Sequence, residues 1–460
     1  MKKILLIPIN ALIIFIFAFS QLNHAQIKEV FKLVIDPTSK PVEKFKGFGV
    51  EWDSRSYNLN GVTDKDFELI GKRVKWMGIP IVRIMMQTKW CYSQSTGYDW
   101  DSEGMKLLYR HLNFCKQNNI DVLLTDWGVE VDWLAVDGIE RTDKPEYAEV
   151  ISTYLDYLIN KKGFTCIKYF SLVNEPNYEV GNFERWRNGF ENVYNSFVDK
   201  GLDKKIKLVA PGQSNDKKWF FDTVDEARFA VDIYDTHLYA WKDRTLAGGV
   251  YAELKELWDY AKSIDVNINK KQFFVTEAGM RDGQSANIST LIDDYYYGVF
   301  MIDFAIQAIH AGATAVLAWM LDDNSHPDFK WGLWKDKNNG MGFRPWAFTW
   351  SLLTKLFPTS SEIYKLRPRS IQLRALGAKL KNGSGWSFCI VNVGNDSSNI
   401  SIKVEGGKNY KFYKYLYNEK NIKTNQDGYP VPESSMEINL NNGEEIIIPG
   451  NTVIFLTTMK

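Results

Sequence analysis

The sequence of 460 residues contains little cysteine and little histidine. The four cysteines are scattered and include no Cys-x-x-Cys pair, which zinc sites and dithiol redox sites commonly use. The five histidines include no His-x-His pair, which disfavours a hydrolase built on clustered metal ligands. We therefore expect no metal ion, no cofactor, and buried thiols at positions 91, 115, 166 and 389.

The sequence also lacks an excess of charge of either sign. Lysine and arginine together number 56, aspartate and glutamate together number 56, and the formal net charge is zero. Without basic runs, the chain has no electrostatic footprint for nucleic acid, so we expect an uncharged partner. A Gly-x-Ser-x-Gly elbow is absent as well, which argues against a serine hydrolase.

A long apolar run is found at the N-terminus, with no second one further along. Ile4 to Phe19 follow Lys2 and Lys3, and Ala18-Phe19-Ser20 offers a small-x-small cleavage pattern. The run is short for a membrane span. We expect a signal peptide at residues 1–26, no membrane anchor, and a secreted or periplasmic protein.

Short β-rich runs alternate with amphipathic helical segments over the next 300 or so residues. The runs are mostly apolar on both faces, as strands covered on both sides are. Eight strand–helix units in series predict an α/β fold, a (β/α)8 TIM barrel over residues 45–357, with a doubly wound open sheet as the competing fold. The predicted strands are Phe45–Glu51, Ile79–Met85, Ile120–Asp126, Ile167–Asn174, Ile206–Pro211, Val231–His237, Gln272–Glu277 and Thr314–Trp319.

The pattern of apolar and polar residues changes after Pro358. Residues 358–460 hold short alternating runs such as Trp386–Val393, separated by Asn, Gly and Ser turns, which is typical of an antiparallel β-sandwich. The early run Val30–Ile35 precedes the barrel, and we expect residues 27–44 to lend a strand to that sandwich.

Two glutamates follow apolar strands at the predicted active-site end of the barrel. Glu175 ends strand four, Glu277 ends strand seven, and in such a barrel the catalytic residues lie at the C-terminal ends of the strands. Strands four and seven face each other across the mouth. Hydrolysis of a glycosidic bond uses such a pair of carboxyl groups, one as acid and the other as nucleophile or base.

The residues around these glutamates resemble a known group of enzymes. Asn174-Glu175-Pro176, together with Glu277, is similar to the retaining (β/α)8 glycoside hydrolases of clan A. The segment Lys44–Trp52 (KFKGFGVEW) resembles the Gly-Phe-Gly opening of families 30 and 39, which also pair the barrel with a β-sandwich. This resemblance implies that Glu175 is the acid/base, Glu277 is the nucleophile, and Asn174 binds the sugar 2-hydroxyl.

The same resemblance implies further substrate-binding residues. Family members carry an arginine at strand two, where this chain has Arg83, and a cation there favours the ionised form of a carboxylate. His237 and Tyr239 occupy the strand-six position near the nucleophile, and Trp319 occupies the sugar platform position after strand eight. Aromatic rings stack on sugars, and the remaining rim aromatics are Trp52, Trp90, Trp127 and Trp241; we expect two of these four to wall the substrate cleft and favour Trp90 and Trp127.

The resulting prediction is a secreted, monomeric retaining glycoside hydrolase that acts on β-linked oligosaccharides or polysaccharides of the β-glucan or xylan type. The alternative is a non-catalytic carbohydrate-binding barrel, which would keep the aromatic platforms but would not need both strand-end acids. The sugar, the linkage and internal or terminal attack stay open at this point.

Overall fold

The computed structural model describes residues 29–36, 38–53, 55, 57, 61–282, 289–323 and 330–460. The predicted signal peptide, residues 1–26, lies outside these ranges. Among the helices of the described ranges, none has the length and apolar character needed to cross a membrane.

The strands of the described residues are numbered along the chain. They are β1 (Val30–Ile35), β2 (Gly47–Glu51), β3 (Ile81–Met86), β4 (Tyr92–Ser93), β5 (Gly97–Tyr98), β6 (Asp121–Asp126), β7 (Ile167–Leu172), β8 (Lys207–Ala210), β9 (Ile233–Ala240), β10 (Gln272–Met280), β11 (Ala315–Ala318), β12 (Glu362–Leu366), β13 (Leu373–Lys379), β14 (Trp386–Asn392), β15 (Ser398–Val404), β16 (Asn409–Asn418), β17 (Asn421–Ile422), β18 (Ser434–Asn439), β19 (Glu444–Ile448) and β20 (Thr452–Thr457).

The α-helices of the described residues are numbered in the same way. They are α1 (Asp64–Met77), α2 (Glu103–Gln117), α3 (Pro145–Asp156), α4 (Pro176–Glu179), α5 (Phe183–Lys200), α6 (Lys217–Glu226), α7 (Lys242–Leu246), α8 (Gly249–Ile264), α9 (Tyr295–Ala311) and α10 (Trp346–Leu356).

Within the described residues, eight parallel strands close into a barrel in the order β2, β3, β6, β7, β8, β9, β10, β11. The predicted (β/α)8 barrel is therefore confirmed, and the open sheet is excluded because β11 pairs with β2. Several predicted strand ends are wrong: β7 ends at Leu172 rather than Asn174. In contrast, β9 continues to Ala240 and β10 to Met280, past His237 and Glu277. Both strands run further up the barrel wall than their apolar runs indicate.

The barrel interior changes from apolar to polar along each strand. Ile81, Leu123, Ile233 and Phe274 belong to an apolar layer inside the barrel. Because strand side chains alternate, the residue two positions later points to the same side. This periodicity directs Arg83, together with its counterparts on the neighbouring strands, into the barrel mouth.

The helices surround the barrel and begin and end at capping residues. Thr63 and Asp66 form a capping box at the start of α1, and Gly78 ends that helix in the left-handed conformation with φ of 64°. Such caps satisfy backbone groups that the helix itself leaves unpaired.

The C-terminal region forms two facing sheets. In the larger sheet, β12, β13, β14, β20, β16 and β17 follow one another, and β18 also pairs with β16. The smaller sheet has the order β1–β15–β19, and β1 pairs with β15 in parallel, from Val30 opposite Asn399 to Ile35 opposite Val404. The predicted antiparallel sandwich is confirmed for the C-terminal strands, with this one parallel pairing added by the N-terminal strand.

Helix α9 lies between the barrel and the sandwich, and nearly all of its side chains are buried. It contacts β10 and β11 on one side and β13, β14, β16 and β20 on the other. A helix covered on both faces needs no polar stripe, which explains its apolar sequence. Gly298 allows the close approach, because a Cβ there would lie 2.5 Å from the Tyr417 hydroxyl oxygen.

Candidate active site

The nucleophile candidate Glu277 lies inside β10 at an irregularity in the barrel sheet. The pairing register between β9 and β10 shifts between Val275 and Glu277, so Thr276 is the extra residue. A bulge of this kind re-aims the neighbouring side chains. Thr276 donates a hydrogen bond to Asp235 inside the barrel (2.6 Å), while Glu277 joins the group of residues at the mouth.

Both carboxylate oxygens of Glu277 accept strong hydrogen bonds. Arg83 Nη1 lies 2.5 Å from Oε1, and the Tyr239 hydroxyl donates to Oε2 over 2.5 Å. Glu277 is 3% exposed and Arg83 is 1% exposed, so their ion pair is screened little by water. The pair fixes the carboxylate in one orientation at the mouth of the barrel.

Arg83 also organises two neighbours of Glu277. Its Nε donates to Thr125 Oγ1 over 2.9 Å, and its Nη2 donates to Asn174 Oδ1 over 2.7 Å. Arg83 therefore joins strands two, three, four and seven of the barrel through one side chain. The planar guanidinium suits this role because its donors diverge in a rigid fork.

Glu175 is presented by a bend between β7 and the short helix α4. It precedes α4 with φ of 41°, a left-handed conformation that is uncommon outside glycine. Strained backbone of this kind clusters at functional sites. Burial raises the pKa of Glu175, while a hydrogen bond from the Ser214 side chain and the charge of Arg83 act in the opposite direction.

His237 lies between the two glutamates. Its Nδ1 is 3.0 Å from Glu175 Oε1 and 3.4 Å from Glu277 Oε1. Burial lowers the pKa of His237 to about 3, so the imidazole is neutral and its contact with Glu175 is a hydrogen bond rather than an ion pair. Its Nε2 is buried without a hydrogen-bond partner among the described residues.

The three side chains are close enough to act on one bound group. A carboxylate oxygen of Glu175, a ring nitrogen of His237 and a carboxylate oxygen of Glu277 all lie within 4.8 Å of one another. Such a set could also hold a metal ion. However, both oxygens of Glu277 are already engaged, one of them by the permanent cation of Arg83, so a divalent ion would have to displace these contacts.

The predicted aromatic residues differ in their placement. Trp127 is partly buried, and its Nε1 lies 3.3 Å from Oε1 of Glu179, which is the last residue of the helix after Glu175. Trp319 is partly buried at the end of β11, where its backbone N–H donates to Ala278 beside Glu277. Both are therefore tied to the segments that carry the carboxyl groups.

Trp90 and Trp52 pack into the protein body. The Trp90 ring covers Gly104 at the start of α2, where a Cβ would lie 2.4 Å from the ring. Trp52 is 1% exposed and stacks on Phe67, so it is wrong as a candidate wall of the cleft. Trp241, by contrast, is half-exposed after β9.

Sequence reasoning missed several residues of the mouth. Ser214 and Thr125 follow or end strands, but single hydroxyl residues are common there and give no distinctive signal. Trp331 contacts Tyr239 with a distance of 5.7 Å between ring centroids, and it comes from the long connection after β11.

Glu51 is a further buried acid at the end of β2, opposite Arg83 in the strand pairing. Its two carboxyl oxygens have no hydrogen-bond partner among the described residues. Burial, followed by the negative charge of Asp53, raises the pKa of Glu51 well above its usual value. Burial therefore favours the protonated form of this carboxyl group.

Comparisons with known proteins identify relatives by structure. No protein-family model matches the sequence, and no curated protein matches it. A monomeric β-xylosidase from Caulobacter crescentus has a TM-score of 0.67 at 12% identity. A glycoside hydrolase family 30 endoxylanase from Clostridium papyrosolvens has 0.66 at 13%, and an α-L-arabinofuranosidase from Thermotoga maritima has 0.68 at 14%.

Each of these alignments covers 93% of this chain and 99% of the other chain. The similarity therefore extends over the barrel and the sandwich together. At this level of identity it shows a shared fold: this chain has the barrel-plus-sandwich architecture of those glycoside hydrolases.

Proposed function

We propose that this protein is a retaining glycoside hydrolase that cleaves β-linked sugars by double displacement. The observation that carries the proposal is the placement of Glu175 and Glu277, whose carboxyl oxygens approach within 4.8 Å around one point of the barrel mouth. Retaining enzymes hold their two carboxyl groups about 5–5.5 Å apart, whereas inverting enzymes need about 6.5–9.5 Å to admit a water.

In the first step Glu277 attacks the anomeric carbon while Glu175 protonates the departing oxygen. The glycosidic bond breaks, and a glycosyl ester forms on Glu277. The raised pKa of Glu175 favours the protonated form that this step requires. Arg83 and Tyr239 hold the Glu277 carboxylate in place for the attack.

In the second step Glu175, now ionised, removes a proton from water. The water oxygen attacks the anomeric carbon and the ester bond to Glu277 breaks, which restores both residues. His237 is neutral and donates from Nδ1 to the Glu175 carboxylate, so it stabilises the ionised form without adding a charge.

Asn174 is placed to hold the substrate beside Glu277. Its Oδ1 accepts from Arg83, which directs the amide Nδ2 away from Arg83 and makes it the group available for a sugar hydroxyl. A hydrogen bond to the 2-hydroxyl that strengthens in the transition state contributes several kcal/mol in such enzymes.

We infer a substrate of the β-glucan or xylan type. The β-xylosidase and the endoxylanase among the structural neighbours support xylan, and the arabinofuranosidase adds arabinose-containing sugars to the panel that has to be tested. Trp127 and Trp319 are the aromatic contacts that we propose for the sugar rings. Secretion and a monomeric state belong to the same proposal.

The nucleophile is tested with Glu277→Ala and Glu277→Gln. We expect both variants to lose hydrolysis of an aryl β-glycoside, and added azide to restore turnover of Glu277→Ala with a glycosyl azide of inverted configuration. Glu146→Ala, an exposed residue in the first turn of α3, is the matched control and should keep wild-type turnover. Near-normal turnover by a folded Glu277→Ala variant would overturn the assignment.

The acid/base is tested with Glu175→Ala. We expect a large loss on substrates with poor leaving groups and a much smaller loss on activated aryl glycosides, because only the former need protonation. Equal loss on both classes would contradict the role of Glu175. Polysaccharide binding without hydrolysis by the wild-type protein would favour the carbohydrate-binding barrel instead.

A further inference from the structure

A large cavity lies at the opposite end of the barrel from the two glutamates. Its volume is about 790 Å³, and it is lined where β10 begins and where the chain enters β11. Glu277 lies near the other end of β10. Three parts of the molecule enclose the cavity, namely residues 39–44 before β2, the outer side of α8, and strand β12 of the sandwich.

The cavity is strongly cationic in a chain whose net charge is zero. Seven lysine or arginine side chains line it against two acidic ones. Lys255 and Lys262 share Asp259 as their partner, and Lys271 pairs with Asp265 over 2.5 Å. These three cations are therefore compensated by nearby carboxylates.

The other four cations have no such compensation. Among the described residues, no carboxylate lies within 4 Å of Lys40, Lys44, Lys365 or Arg367. Lys44 donates to the carbonyl of Asn269 over 2.8 Å, and Lys365 lies 3.5 Å from the carbonyl of His310. Carbonyl oxygens of this kind orient an ammonium group but do not neutralise it.

The positive charges of the cavity also act on one another. Burial, together with the positive charges of Arg367 and Lys262, lowers the pKa of Lys365 to about 8. His310 on the same wall is neutral, because burial lowers its pKa to about 3. Like charges that line one cavity repel one another, and an anion bound between them reduces that repulsion.

We propose that this cavity binds a small molecule that carries a tetrahedral oxyanion, a phosphate or a sulfate ester. Lys365 and Arg367 of β12 would contact the anion from the sandwich, and Lys40 and Lys44 would contact it from the N-terminal segment. The volume lies within the range of about 300–1,000 Å³ that small-molecule sites occupy. Tyr251, Trp258 and Tyr364 supply aromatic surface for the rest of the ligand.

The occupant would join the barrel helix α8 to the sandwich strand β12. A ligand that binds only the folded chain stabilises it in proportion to the logarithm of its concentration over Kd. This site is independent of the proposed hydrolase chemistry. Anion binding can therefore be tested separately from glycoside hydrolysis.

The test is calorimetric titration of the full chain at a fixed ionic strength set with NaCl. The ligands are pyrophosphate, glucose 6-phosphate, glucose 6-sulfate and uncharged glucose. We expect saturable 1:1 binding of at least one of the anions, none of glucose, and a rise in Tm with the same ligand. The relative affinity of the phosphate and sulfate esters identifies which source of the anion fits.

The variants are Lys365→Gln and Arg367→Gln, with Lys420→Gln on an exposed turn of the sandwich as the control. Each cavity variant should weaken binding about tenfold or more, which corresponds to about 1.4 kcal/mol per lost contact, and the control should not. Lys40→Gln, outside regular secondary structure, serves as a third variant if either of the others lowers the unliganded Tm. No saturable anion binding, or equal binding by wild type and all three cavity variants, overturns the proposal.

Discussion

At the scale of single residues, Arg83 links the strand-end residues into one site. Its guanidinium joins Glu277, Asn174 and Thr125, which come from three other strands. The sequence predicts the two glutamates, Asn174 and Arg83, because each follows or interrupts an apolar strand. It does not predict that the Arg83 side chain contacts both Glu277 and Asn174, because the distances depend on barrel closure and on the shift around Thr276.

Ser214 tunes Glu175 and gives the first prediction. Its side-chain hydrogen bond lowers the pKa of Glu175, so Ser214→Ala should raise that pKa. Protonated Glu175 is required for catalysis, and kcat/KM therefore falls as the pH rises through its pKa. We expect the alkaline limb of the pH profile to move to higher pH in Ser214→Ala.

The profile is measured as kcat/KM on an unactivated substrate. Ser263→Ala on the exposed side of α8 is the control and should leave the limb in place. A shift of the limb towards lower pH in Ser214→Ala would contradict the hydrogen-bond argument.

Glu51 gives a prediction about stability. Its pKa is raised in the folded chain from the usual value of 4.5, so the folded state holds a proton that the unfolded state loses. The stability that Glu51 contributes is thus complete below pH 4.5 and is lost as the pH rises towards the folded pKa. Glu51→Gln, which cannot ionise, should remove this loss.

We expect the free energy of unfolding of Glu51→Gln to increase relative to that of wild type as the pH rises above 4.5. Denaturant unfolding at several pH values measures it, with Glu146→Gln as the exposed control. A difference between Glu51→Gln and wild type that stays constant as the pH rises would contradict the raised pKa of Glu51.

At the scale of elements, the number and order of the barrel strands are predicted well from the sequence, whereas the residues at which the strands end are predicted poorly. Eight apolar runs correctly indicate eight barrel strands, since buried parallel strands need apolar residues on both faces. The ends of β9 and β10 are wrong because polar residues such as His237 and Glu277 continue the strand with side chains in the mouth. A prediction that identifies strands by their buried apolar residues assigns polar residues at a site to a loop.

Strand β1 gives the element-scale prediction. Leu33 and Ile35 point into the sandwich core, while Lys32 and Val34 point outwards. Leu33→Ala should lower the free energy of unfolding by about 2–5 kcal/mol, as expected for a truncated core leucine. Lys32→Ala on the opposite face is the control and should change it by less than about 0.5 kcal/mol.

Thermal or denaturant unfolding measures both variants. If Leu33→Ala and Lys32→Ala changed the free energy of unfolding by equally small amounts, β1 would not form part of the sandwich in solution.

At the scale of the whole molecule, the barrel and the sandwich share α9 and a buried ion pair. Arg374 of β13 lies 3.2 Å from Asp303 of α9, which is 1% exposed, and the Tyr417 hydroxyl donates to the carbonyl of Tyr295. The sequence predicts both units but not this contact. An apolar helix can cover a sheet on one side or on two, and periodicity does not distinguish the cases.

Arg374→Met tests this junction. It leaves Asp303 buried without its partner, so we expect unfolding to become easier by about 3 kcal/mol. Lys379→Met in the same strand removes an exposed pair with Glu362 and should cost less than about 1 kcal/mol. Because the junction is buried, calorimetry should show one transition for both units; two separate transitions in the wild-type protein would contradict a shared core.

The pairing of β1 with β15 has a consequence for the order of synthesis. A ribosome makes Val30–Ile35 before the whole barrel, whereas the partner strand Ser398–Val404 is made only after it. The smaller sheet therefore cannot be completed during translation, however early the barrel folds. Until the partner strand has been synthesised, the apolar side of β1 stays exposed to solvent or is covered by another protein. A product truncated before β15 would keep this side of β1 exposed to proteases.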